Sequence, residues 1–114
     1  YDEQNGLFEK LSKFSKQGYG VVIGEYAVML KNGGIKQDTD KFYDNLLDNC
    51  DLYDYCPVLW DCSNFYKRIT NTLSDEKLAE LFSSRAAANE AGKSTEEIKA
   101  AAKEKIESTR KTAE

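Results

Sequence analysis

The chain has 114 residues, 20 acidic and 16 basic side chains, no histidine and a formal net charge of -4. That balance argues against a nucleic-acid-binding domain, which carries a basic patch or stripe. No run approaches the ~18 consecutive apolar residues that cross a bilayer, and no basic-then-apolar leader opens the chain. Forty per cent of the residues are hydrophobic and 11% aromatic, enough for one packed domain and no more. The opening Tyr1-Asp2-Glu3 reads as an entry into the middle of a fold.

Cys50, Cys56 and Cys62 are odd in number and lack the C-x-x-C spacing of a zinc site, and no histidine can complete one. They read as small packing residues or as a bridge to a part of the chain not present. No metal and no cofactor is expected. Composition changes near Phe82, the last aromatic residue. Residues 85–114 hold seven basic and six acidic residues, eight alanines and no aromatics. Residues 1–84 therefore read as folded core and 85–114 as a charged, solvated helical tail or linker.

The first predicted element is a helix from Glu3 to Gln17, with Leu7, Phe8, Leu11 and Phe14 on one face and a stop at Gly18. Val21-Val22-Ile23 follows as a short apolar run suited to a buried parallel strand, ending in Gly24-Glu25-Tyr26. Asn32-Gly33-Gly34 marks a loop. A second helix spans Thr39 to Tyr55, with Phe42, Tyr43, Leu46, Leu47, Cys50 and Tyr53 on its apolar face. After Pro57, Val58-Leu59-Trp60 reads as a second strand closed by Asp61. A loop through Ser63-Asn64-Phe65-Tyr66 leads to Ser74, the expected cap of a third helix buried through Leu78, Leu81 and Phe82. In the tail, Ser94-Thr95-Glu96-Glu97 is a capping box. The stripe Ile98, Ala102, Ile106 is thin enough for a solvated helix, and Glu107 with Lys111 is a favourable pair.

Helices alternating with short apolar strands predict an α/β fold with parallel strands. Two parallel strands alone cannot be covered on both faces, so the chain reads as a piece of a larger barrel or sheet. Glu25 stands directly after an apolar strand and a glycine, and Trp60 stands at the matching end of the next strand. In α/β barrels the strand carboxyl ends carry the active site. Pairing of Glu25 with a nearby cation and packing of Trp60 in the core are the structural alternatives.

The stretch from Tyr19 to Phe82 resembles the last two strand–helix units of glycoside hydrolase family 5, the cellulases and mannanases. VVIGEY (21–26) and PVLWD (57–61) carry the likeness, which is closest to endo-β-1,4-glucanases of anaerobic cellulose-degrading bacteria. The resemblance implies the end of a (β/α)8 TIM barrel followed by a helical tail, and a secreted or cell-surface enzyme. It implies Glu25 as the nucleophile of a retaining mechanism and Trp60 as the sugar platform, with a cis peptide after Trp60. Asn64, just past the platform, is a candidate for a sugar hydroxyl, or a loop cap. Ala27 stands where many members have glycine. The acid/base glutamate and the histidine of earlier strands are absent, so half of the carboxylate pair must come from elsewhere. The implied partners are a β-glucan and the remaining part of the barrel, with no nucleic acid and no membrane. A non-catalytic carbohydrate-binding or scaffold fragment, and the same chemistry on mannan or xyloglucan, stay open.

Overall fold

A computed structural model describes residues 1–28, 38–61 and 65–111. Helix α1 (Asp2–Ser15) leads to strand β1 (Val21–Tyr26), helix α2 (Thr39–Tyr53) and strand β2 (Tyr55–Leu59). A small hairpin, β3 (Tyr66–Lys67) and β4 (Thr72–Leu73), precedes helices α3 (Glu76–Glu90) and α4 (Thr95–Lys111). The loop read at Asn32-Gly33-Gly34 lies outside the described residues.

Acidic Asp2 and Glu3 open α1 and Lys13 lies in its last turn, each favoured by the helix dipole. Gly18 ends it in the left-handed region, φ 86°. There the Gly18 N–H bonds Ser15 O at 3.0 Å and the Tyr19 N–H bonds Phe14 O at 3.2 Å, a Schellman pattern. The buried stripe of α1 is Asn5, Phe8 and Ser12, whereas Leu7 and Phe14 are exposed. The apolar face read from the sequence is therefore offset from the face that packs. The reason is chemical: α1 meets α2 partly through amides. Asn5 Oδ1 accepts from Asn45 Nδ2 at 2.9 Å and from Asn49 Nδ2 at 2.8 Å.

Strand β1 pairs with β2 in parallel, Val21 opposite Tyr55 and Ile23 opposite Pro57. Pro57 thus sits inside the strand, a position tolerated where a strand has an open edge. One face of the pair is covered: Val21, Ile23 and Tyr55 pack with Phe8, Leu46, Leu47 and Cys50. The other face is open. Val22 is 62% and Val58 45% exposed, and Cys56 is exposed beside them. Among the described residues each strand has one neighbour.

Helix α2 ends at Tyr53, two residues short of the expected Tyr55. Asp54 takes a left-handed conformation, φ 58°, and the chain turns straight into β2. The hairpin was not legible beforehand, because its strands are two residues each. Its turn ends at Asn71, φ 55°. The cap of α3 is Asp75 rather than Ser74: Asp75 Oδ1 accepts the Leu78 N–H at 3.0 Å, while the Ser74 N–H bonds Phe65 O at 2.6 Å and holds the hairpin.

The stretch 85–111 is not a solvated appendage. Helix α3 runs through residue 85, and α4 lies on α2 with Ala102 3% and Ile106 4% exposed. The capping box forms, with the Ser94 N–H on Glu97 Oε2 at 2.8 Å and the Glu97 N–H on Ser94 Oγ at 3.3 Å. The pair read at Glu107 and Lys111 involves a side chain outside the described residues, and Glu107 faces Lys103 at 4.0 Å. The thin stripe suffices because charges flank it. Arg85 reaches Asp44 at 2.7 Å, Asp48 at 2.9 Å and Asp51 at 2.7 Å, all on α2. Lys105 of α4 adds Asp48 at 3.4 Å, and Arg110 meets Glu9 of α1 at 3.3 Å.

Burial, the chief cause, raises the Asp48 carboxyl above the ordinary carboxylate value, while Arg85 and Lys105 pull it back. An acid whose folded pKa is raised favours the fold most when protonated, and that contribution is lost as pH rises through the folded pKa. Arg85→Met leaves three carboxylates facing a lost cation. It should cost ~3 kcal/mol at neutral pH. The loss should shrink on acidification into the carboxylate range, as Asp48 protonates. Denaturant melts of both proteins at neutral and acid pH measure the difference, and a pH-independent gap would contradict the network.

The open sheet face yields a second expectation. Val22→Thr and Val58→Thr keep shape and strand propensity while adding a hydroxyl. On an open face each should change stability by less than ~0.5 kcal/mol and lower hydrophobic-dye binding. Under cover each would cost ~1–3 kcal/mol. Leu46→Ala, on the covered side, should cost ~2–5 kcal/mol.

Candidate active site

The register of β1 and β2 changes near the ends of the strands. Ile23 faces Pro57 and Tyr26 faces Leu59, so Gly24 and Glu25 together stand opposite Val58. This is a β-bulge, a feature that bends a strand and re-aims its side chains. Regular alternation from Val21 and Ile23, which face the helices, would turn Glu25 toward the helices and Tyr26 away. The bulge reverses both. Glu25 is exposed, and Tyr26 packs with the core beside Tyr43 and Phe82. Gly24 has open space where a Cβ would stand. The sequence signal for the bulge was the glycine inside a strand pattern.

In β2 the alternation is regular, so Cys56, Val58 and Trp60 share the open face. Trp60 follows the last strand residue and is 44% exposed. Its N–H extends the ladder by one bond, to Tyr26 O at 3.0 Å. Glu25 and Trp60 therefore stand on adjacent parallel strand ends and share the uncovered side. Core packing does not account for Trp60. Among the described residues Glu25 forms no ion pair, so the pairing alternative finds no partner there.

The peptide bond after Trp60 is trans, since no described bond is cis; this corrects the geometry that the resemblance implied. Strand alternation already turns Trp60 outward through an ordinary bond. Asp61 Oδ1 accepts the Phe65 N–H at 3.0 Å. Asn64 and Cys62 lie outside the described residues. Of the other cysteines, Cys50 is buried and Cys56 exposed, and burial pushes the Cys50 thiol up to about 12. A thiol held protonated is a packing group rather than a nucleophile.

No protein-family profile, curated protein or solved structure matches the chain. The site therefore stands on its own geometry. Among the described residues no group of His, Cys, Asp or Glu is arranged to hold a metal ion. Among the described residues no helix is long and apolar enough to cross a membrane. A cleft of about 720 Å3 between α2, α3 and α4 is lined by Arg85, Lys105 and Phe82 among others. It lies on the helix side and includes neither Glu25 nor Trp60. Sequence reasoning missed Arg85, which it assigned to a tail, and the bond in which the Tyr43 hydroxyl accepts the Val28 N–H at 2.8 Å.

The exposure of Trp60 has a measurable consequence. Trp60→Ala should lower stability by less than ~1 kcal/mol. Phe65→Ala, at a buried aromatic of the same region, should cost ~3–5 kcal/mol. Thermal or denaturant melts of the two variants compare them directly. Equal losses would return Trp60 to the core.

Proposed function

We propose that the chain is the nucleophile-bearing part of a retaining endo-β-1,4-glucanase, the last two strand–helix units of a (β/α)8 barrel with α4 strapped across its helices. One observation carries this reading: a bulge turns Glu25 out at the carboxyl end of β1 onto the face that also bears Trp60. Retaining hydrolysis needs two carboxyl groups ~5–5.5 Å apart. Glu25 supplies the one that attacks the anomeric carbon, expelling the leaving oxygen and forming a glycosyl ester. The other donates a proton to that oxygen and then takes one from the incoming water, and it belongs to a part of the barrel outside this chain. The indole face of Trp60 lies against the C–H face of a pyranose and holds the ring over Glu25. The reaction uses acid–base and nucleophilic chemistry alone, so no cofactor is invoked. The substrate is cellulose or a mixed β-glucan, with mannan and xyloglucan as relatives of the same chemistry. Secretion follows from a polymeric substrate that cannot enter a cell.

A second reading has one observation in its favour. Trp60 is exposed on a face that holds a single candidate carboxylate in this chain, which suits a sugar-binding or scaffold fragment without turnover. Kinetics on the complete barrel separate the two. Glu25→Gln should lower turnover by several orders of magnitude and leave the fold intact. Azide should rescue Glu25→Ala, with a glycosyl azide of inverted configuration as product, and should not rescue Glu25→Gln. Near-normal turnover in Glu25→Gln would end the nucleophile assignment.

A further inference from the structure

Glu25 and Trp60 are useful together only if their separation is held. Among the described residues Glu25 forms no ion pair, and Trp60 is 44% exposed, so the backbone segments that bear them matter to the spacing. Both segments converge on one side chain of α2. Tyr43 is 0% exposed and stands in the second turn of that helix. Its hydroxyl accepts the Val28 N–H at 2.8 Å, just beyond β1, where the sheet ladder no longer serves the backbone. Its ring meets Tyr26, the residue after Glu25, with centroids 5.8 Å apart and planes at 64°. Tyr26 in turn accepts the Trp60 N–H through its carbonyl at 3.0 Å.

The other strand end is reached through Phe65, which also packs on the Tyr43 ring. Phe65 lies edge-on to Tyr43, centroids 6.3 Å apart and planes at 86°. Phe65 is itself fixed to Asp61, the residue after Trp60, by the 3.0 Å bond from its N–H. Edge-on aromatic pairs resist sliding because the positive rim of one ring seeks the negative face of the other. Without the phenol oxygen the part-buried Val28 N–H would lose its acceptor, and an unpaired buried donor costs ~1–3 kcal/mol.

We propose that Tyr43 is a positioning residue that sets Glu25 against Trp60, its hydroxyl holding the segment after β1 and its ring edge holding the segment after β2. This rests on the reading of Glu25 and Trp60 as nucleophile and platform. The two arms are separable. Tyr43→Phe removes the hydroxyl and keeps the ring. Tyr43→Leu removes both. Leu78→Ala, at a buried residue of the same cluster, is the control for core damage alone.

Residue-resolved amide exchange and the fluorescence of Trp60, the one tryptophan of the chain, read the result in the 114-residue chain. Tyr43→Phe should speed exchange at Val28 about tenfold, the order expected for one lost hydrogen bond. The Phe65 amide and the Trp60 emission should not change. Tyr43→Leu should speed exchange at both Val28 and Phe65 and lower the Trp60 anisotropy. Leu78→Ala should speed core amides without that pattern. An unchanged Val28 amide in Tyr43→Phe, or a uniform acceleration across the chain, overturns the proposal. If Tyr43→Leu does not fold, Tyr43→Phe decides alone. In the complete barrel Tyr43→Phe should lower kcat about tenfold with KM nearly unchanged, and an unchanged kcat also overturns it. The exchange measurement needs neither sugar nor turnover, so its failure is distinct from a failure of Glu25→Gln to abolish activity.

Discussion

Helix α2 is buried on several sides at once, and each side is served by a different chemistry. Toward the sheet it presents Leu46, Leu47 and Cys50. Toward α1 it presents Asn45 and Asn49, both bonded to Asn5. Toward α3 and α4 it presents Asp44, Asp48 and Asp51, gathered by Arg85 and Lys105. Toward the strand ends it presents Tyr43. A helix with one apolar stripe can be packed in several rotational settings. A helix with an apolar, an amide and an acidic stripe fits its neighbours in one. Asn45 Oδ1 and Asn49 Oδ1 have no protein partner, which costs stability and leaves specificity as the contribution of the amide layer.

That asymmetry accounts for the sheet. All helical cover lies on one side of β1 and β2, so the strands bury Val21, Ile23 and Tyr55 and leave Val22, Cys56 and Val58 in solvent. Parallel strands are ordinarily covered on both faces. The exposed apolar face is continuous with the side that carries Glu25 and Trp60. The bulge at Gly24 and Glu25 lets one short strand serve both demands: apolar side chains to the helices along its length, and a carboxylate to the open side at its end.

The helix layer and the site are mechanically linked. Tyr43 sits where α2 begins to leave the strand ends, and the same cluster includes Leu78 and Phe82 of α3. Arg85, one turn beyond Leu81, ties α3 back to α2. Support for the strand ends therefore comes from the helix side of the sheet.

Much of this was legible along the chain. The periodicity of 42–53, the apolar run at 21–23, Gly18 as a stop and the capping box at Ser94 are local signals, and local physics decides them; the second strand, read at 58–60, spans Tyr55–Leu59. The choice of Glu25 and Trp60 as candidate residues was also local, because strand ends are visible in one dimension. Three features were not. The packed stripe of α1 runs through Asn5 and Ser12 instead of Leu7 and Phe14, since a buried amide is recognised only by the partner that satisfies it. The helices at 76–90 and 95–111 are tied to α2 by Arg85 and by Lys105, which meet carboxylates about forty and sixty positions away in sequence. The direction in which Glu25 points depends on a register shift between two strands, and a register belongs to the pair, not to either strand alone. Spacing along one chain reports which residues share a face; only the neighbour that covers that face decides what the face is for.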